Sequence, residues 1–218
     1  MKKLRWRLKF NAHHGQSIVE FTLVLPVLLL LLLGVAELGV ALYNYLSLAT
    51  ANREGVRLAS RARFTDEATA GLVVSSSGMV EQPDGTFVPV MKLSGADANL
   101  GVIITHISID TAGNLLDTST YISGTIMGTD HALRPITPED SRFTAEKLEE
   151  LVSNSLSATS EINAYREDMS YDRIPEELVV IETFLTHHWM SSNIDATTLY
   201  FHSVMRVLRD SRDALQGG

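Results

Sequence analysis

The order of apolar and polar positions divides the chain into two unlike parts. From Phe21 to Ala36 the only polar side chain is Thr22, and apolar character resumes from Leu38 to Leu42 after one interruption at Glu37. A helix needs roughly 20 apolar residues to cross the ~30 Å hydrocarbon layer, so Phe21 to Leu42 predicts a single membrane span. Leu42, Tyr45, Ala49, Val56 and Ala59 then continue an approximately helical stripe, with Glu54 and Arg57 three residues apart. Together these predict one helix over 16–63, a span followed by a stalk.

From about residue 70 the apolar runs shorten and turn residues separate them, which is the pattern of antiparallel sheet. Pro83-Asp84-Gly85-Thr86 between Met79-Val80 and Phe87-Val88 predicts a hairpin, because Asp-Gly supplies the positive φ that a tight turn needs. Val102 to Ile109 reads as a strand, and Ala112-Gly113-Asn114 reverses the chain into a second, Leu115 to Ile122. Thr137-Pro138 and Phe143-Thr144 offer helix starts, with Leu148, Leu151, Val152, Leu156 and Ile162 on one face. Leu178 to Leu185 and Thr198 to Leu208 are further strands. The expected fold class is α+β: a long N-terminal transmembrane and stalk helix, then an antiparallel-sheet body over 64–218 with one packed helix.

Charge sharpens this division. The net charge of −8 is +5 before residue 16, from Lys2, Lys3, Arg5, Arg7 and Lys9, and −13 thereafter. The positive-inside rule then places the N-terminus of a single-pass protein in the cytoplasm and the body outside. An acidic body without a basic stripe has nothing to neutralise phosphates, so nucleic acid is not an expected partner, whereas the basic leader suits anionic lipid. The absence of cysteine removes disulfides, thiolate zinc sites and cysteine nucleophiles together. A cleaved secretory signal also pairs a basic region with an apolar one, but its apolar core runs to only about 7–15 residues.

Candidate chemistry in the body is sparse. Asp110, Asn114 and Asp117 lack the ligand order of a calcium loop and read as a turn. His187 and His188 are adjacent, so on a strand they point to opposite faces and do not chelate one ion together. Ser75-Ser76-Ser77 sits in no nucleophile elbow, and Glu149-Glu150 and Glu176-Glu177 read as solvated pairs. The expectation is a protein without catalytic residues, metal or cofactor, and not an enzyme.

Glu20 is the informative residue of the apolar segment, since a carboxylate at the centre of a membrane helix costs roughly 2.5–3.5 kcal/mol. It lies four residues past Gln16, about 6 Å along a helix, and snorkelling to the headgroups is the alternative to a charged partner. Gly15-Gln16-Ser17-Ile18-Val19-Glu20-Phe21, followed by Pro26 and a leucine run, resembles a class III (type IV-like) prepilin processing site. The longer stretch from Gly15 through Glu37-Leu38-Gly39 to Ala51-Asn52-Arg53-Glu54-Gly55-Val56-Arg57 is similar to the TadE-like family of Tad pilus pseudopilins.

That resemblance implies cleavage between Gly15 and Gln16 by a prepilin peptidase, removing leader 1–15 with His13 and His14. It implies assembly through Glu20, Phe21 and Pro26 with other pilins or pseudopilins at a pilus assembly platform, Glu20 neutralising the new α-amino group of Gln16 on a neighbour. Major pilins of such systems carry tyrosine where this chain has Phe21, and they are very short, so a minor subunit is implied. The alternatives are a signal-anchored interaction or adhesion domain that never enters a filament, and an anchored envelope enzyme.

Overall fold

A computed structural model describes residues 12–61, 64–77, 79–81, 83, 87–89, 100–110, 113–129, 132–154, 176–189 and 196–207. They fall into two compact units, Met1–Val40 and Ala41–Gly218. One helix, α1 (Ala12–Ala59), contributes to both.

Within the first unit, the large apolar side chains of α1 from Ile18 to Leu38 are exposed all round the helix. A helix with no polar face is stable only where something other than water surrounds it. This helix is long and apolar enough to cross a membrane. Its helical backbone continues through Pro26, although proline cannot donate to the carbonyl four residues back, at Thr22. The Thr22 hydroxyl donates to the Ile18 carbonyl at 2.7 Å.

The second unit is built on an antiparallel five-stranded sheet in the order β5-β4-β3-β6-β7. The strands are β3 (Leu100–Ile109), β4 (Leu115–Met127), β5 (Leu133–Pro135), β6 (Glu176–His187) and β7 (Thr197–Arg206). Short strands β1 (Met79–Glu81) and β2 (Phe87–Pro89) form a separate hairpin, the one expected from the Pro83-Asp84-Gly85 turn. In the centre, β3 pairs with β6 over ten residue pairs, from Leu100↔Leu185 to Ile109↔Glu176.

Both faces of that central pair are covered. Leu100, Val102 and Ile104 join Val179, Ile181 and Leu185 against Leu48, Ala51, Val56 and Ala59 of α1. The same cluster takes Ala70, Val73 and Val74 from α2 (Asp66–Ser76). On the opposite face, Ile107, Ile109, Leu178 and Val180 pack under Leu148 and Val152 of α3, residues 145–154. Alternate residues of β3 and β6 therefore serve different cores, which is why these strands read as continuous apolar runs. Burying a Leu, Ile or Val side chain is worth about 1.5–3 kcal/mol, so each helix is held chiefly by the face it gives up.

The expected α+β class stands, with differences in detail. α1 ends at Ala59, short of residue 63, where the Ser60 hydroxyl donates to the Arg57 carbonyl. β4 runs on to Met127. Helix α2 occupies part of the region read as sheet from about residue 70. Its start has a physical cause: the Thr65 hydroxyl accepts from Ala68 N at 3.2 Å, and Asp66 and Glu67 complement the dipole in the first turn. Leu156, Ile162 and Leu208 lie outside the described residues.

Two glycines set close approaches. A Cβ on Gly55 of α1 would sit 2.3 Å from Val73 Cγ2, so the absent side chain is what admits α2. Gly124 in β4 has φ +92°, and a Cβ there would lie 2.0 Å from the Leu100 carbonyl oxygen.

Replacing Gly55 with alanine would ordinarily stabilise a helix by about 1 kcal/mol. Here overpacking against Val73 reverses the sign, and Gly55→Ala is expected to lower stability by about 1–2 kcal/mol in urea denaturation. Val73→Ala in the Gly55→Ala background should cost less than Val73→Ala alone. A stabilised Gly55→Ala protein would show that α1 and α2 do not meet there.

Candidate functional site

The residues singled out in the apolar segment share one helix. Gly15 and Gln16 lie within α1, and Glu20 and Phe21 are exposed on it, Phe21 by 61%. Pro26 follows in the same uninterrupted helix. What these residues present is an apolar cylinder with an acid one turn beyond Gln16, a surface suited to lipid or to other helices.

Further along, the Ala51-to-Arg57 run is the helix's attachment to the sheet, and each position has a task. Asn52, fully buried, donates its amide to the Ile181 carbonyl at 3.0 Å and to Thr183 Oγ1 at 3.2 Å. Arg53 lies over the Phe201 ring, 5.6 Å from its centroid. Gly55 admits α2, and Val56 is buried in the core. Glu54 and Arg57 pair at 2.8 Å on the exposed side, where such a pair is worth only about 0.3–0.5 kcal/mol.

A second polar constellation lies in the body, and sequence reasoning missed it. Glu182 of β6 has no solvent exposure. Its carboxylate accepts from the Ser141 hydroxyl, from Arg142 N at 2.8 Å and from the Tyr200 hydroxyl at 2.9 Å. Burial first, and the Glu182 charge beside it, push the Tyr200 phenol above its ordinary range. The Arg142 guanidinium stacks on the Tyr200 ring at 4.2 Å. One acid thus ties the segment before α3 to β6 and β7. Its signal was an acidic residue inside the apolar run Val179 to Leu185, although donors some 40 positions upstream were not visible from that.

The segment itself is shaped by Asp140, in a 3₁₀ turn over Pro138–Asp140. Its carboxylate pairs with Arg134 and accepts from Thr137 N at 2.8 Å. The Arg134 hydrogen bond, outweighing burial, holds the carboxyl down at about 2.

Other sequence candidates have structural duties. The Asp110 carboxylate accepts from Asn114 N at 2.7 Å and from the Asn114 side chain, and so holds the β3–β4 turn, while Asp117 accepts from Thr118 N. Glu177, read as solvated, instead contacts His106 Nδ1 at 3.1 Å, and Asp66 contacts Nε2 at 2.8 Å, fastening the first turn of α2 to the sheet. Glu149 and Glu150 are exposed, as expected.

These features define a protein with one helix long and apolar enough to cross a membrane and an antiparallel-sheet body. Residues 15–57 match the TadE-like protein family, in the stretch that carried the resemblance and no further. No curated protein and no solved structure matches the chain. The match ends two residues before α1 does, so it covers the apolar helix together with its sheet attachment.

Two outcomes follow. Glu182→Leu strands three donors and is expected to cost about 2–4 kcal/mol in urea denaturation followed by tryptophan fluorescence, against under about 1.5 for Glu182→Gln. A smaller loss for leucine than for glutamine would refute the network. Because the Asp140 carboxyl is lowered from 3.8 to about 2 on folding, its contribution is complete above pH 3.8 and fades as pH falls toward 2. Asp140→Asn should therefore reduce stability at neutral pH and flatten this part of the acid-unfolding profile.

Proposed function

We propose that the chain is a minor pilin or pseudopilin of a Tad-type, type IV-like pilus. The carrying observation is that the TadE-like match coincides with a helix apolar on every side and joined to a folded body. On this reading the basic leader stays in the cytoplasm and the body faces outside. A prepilin peptidase cuts between Gly15 and Gln16. The new terminus then packs in a bundle of related helices at the assembly platform, where Glu20 of one subunit meets the α-amino group of the next. Phe21 contributes packing surface, and Pro26 provides a point where the helix bends at low cost when subunits pack. The role is non-enzymatic, a reading supported by Glu182, whose carboxylate is engaged by fixed donors of its own fold.

Protein extracted from membranes should begin at Gln16 by N-terminal sequencing, and Gly15→Leu should retain residues 1–15. A different mature terminus would overturn the processing step. Glu20→Leu should leave protein level and membrane insertion intact while reducing piliation and subunit cross-linking at least about tenfold. Unchanged piliation would favour the anchored adhesion domain, which needs no helix bundle.

A further inference from the structure

The two edges of the body's sheet are unlike. At one edge β5 is three residues long and contains Arg134 and Pro135, features that blunt an edge against pairing. At the other, β7 runs for ten residues, Thr197–Arg206, without lysine or proline and with its one arginine, Arg206, at the last position. Its inner side pairs with β6 from Leu178↔Arg206 to His187↔Thr197, and among the described residues its outer side has no strand beside it.

Alongside this edge lies a groove of about 430 Å³ between α3 and β7. Tyr200 and His202 come from β7, Arg142 and Phe143 from the segment before α3, and Lys147 and Leu151 from α3. The aromatic rings form a ladder: Phe143 meets His202 at 5.2 Å and Tyr200 meets His202 at 5.5 Å. Tyr200 is held through its hydroxyl by Glu182, and the Arg142 guanidinium by the Tyr200 ring. Rigid Tyr and Arg side chains beside a pocket are the usual anchors of a protein interface, since little side-chain freedom remains to be lost. Arg142 and Lys147 face one lining acid, Glu150, on a body whose charge is otherwise strongly negative.

We propose that this groove receives an extended, carboxylate-bearing peptide segment of a partner protein, which adds to β7 as a sixth strand of the sheet. Main-chain hydrogen bonds to the β7 edge would supply affinity. Alternate side chains would drop onto the Phe143–His202–Tyr200 ladder, with an acidic side chain beside Arg142 and Lys147. The proposal stands on the body alone and holds whether or not the N-terminal helix enters a filament.

The test uses the full chain in nanodiscs with a fluorescein-labelled octapeptide of alternating valine and glutamate, and a control with lysine replacing each glutamate. Fluorescence anisotropy should give saturable binding of the acidic peptide, at least about tenfold tighter than the control. Lys147→Glu should weaken it by about tenfold, a single rim-charge effect. Hydrogen exchange of amides in Leu199–Met205 should slow on binding. Equal binding of the two peptides, no saturation up to millimolar peptide, or unchanged β7 exchange would each overturn the proposal. The unfolding midpoint of Lys147→Glu, expected to stay close to the parent because the variant loses one exposed hydrogen bond, from Lys147 Nζ to the Arg142 carbonyl, separates lost binding from lost fold.

Discussion

The body rests on the pairing of β3 with β6, two strands buried on both faces. A sheet with one wet face could stand with a single layer of cover, but this pair requires cover on each side. The α1 residues from Leu48 to Ala59, together with α2, supply one layer. Helix α3 and the segment leading to it supply the other. A polar group near these strands is then costly unless it finds a partner, because an unmet donor or acceptor in such an interior costs about 1–3 kcal/mol. The Asn52 amide N–H groups, the Glu182 carboxylate and the His106 ring find partners by joining a covering element to the sheet, whereas the buried Asn52 Oδ1 has no hydrogen-bond partner among the described residues.

A consequence is that α1 changes solvent along its length. From Ile18 to Leu38 its apolar residues belong to an environment outside the chain, and from Leu48 they belong to the body's own core. The sequence tells the two apart by the size and mixture of its side chains. The first stretch is mostly leucine and valine, with Glu20, Thr22 and Glu37 as its polar side chains. In the second, alanine, glycine and one buried asparagine allow close approach to strands and to a second helix. The family match covers both stretches.

This difference also explains what was legible. The apolar helix was readable from its long, nearly unbroken apolar run, and β3, β4, β6 and β7 from short apolar runs between turn residues, because those signals are local. Helix α2 was obscured by Leu72-Val73-Val74 and the serines after it, which imitate a strand, while its evidence lay in Thr65, Asp66 and Glu67 just upstream. The Glu182 network was invisible for another reason. Its donors on residues 141, 142 and 200 converge only after β6 and β7 have joined the sheet. The tasks of Asn52 and Gly55 likewise depend on partners far along the chain. The N-terminal motif could be noticed without them, but not its division into an apolar surface and a sheet attachment.

The grip of Asn52 has one more implication, for alignment. Its amide holds a main-chain carbonyl and a small hydroxyl, so the apolar side chains of β6 can drift in identity without disturbing it. The position of the helix along the strand cannot drift in the same way. A slip of one residue turns a helix by about 100° and advances it about 1.5 Å. That would carry the amide off Ile181 and leave a bare carbonyl and a bare amide facing an apolar wall. The asparagine therefore acts as an index mark, permitting one setting of helix against sheet and penalising its neighbours on either side.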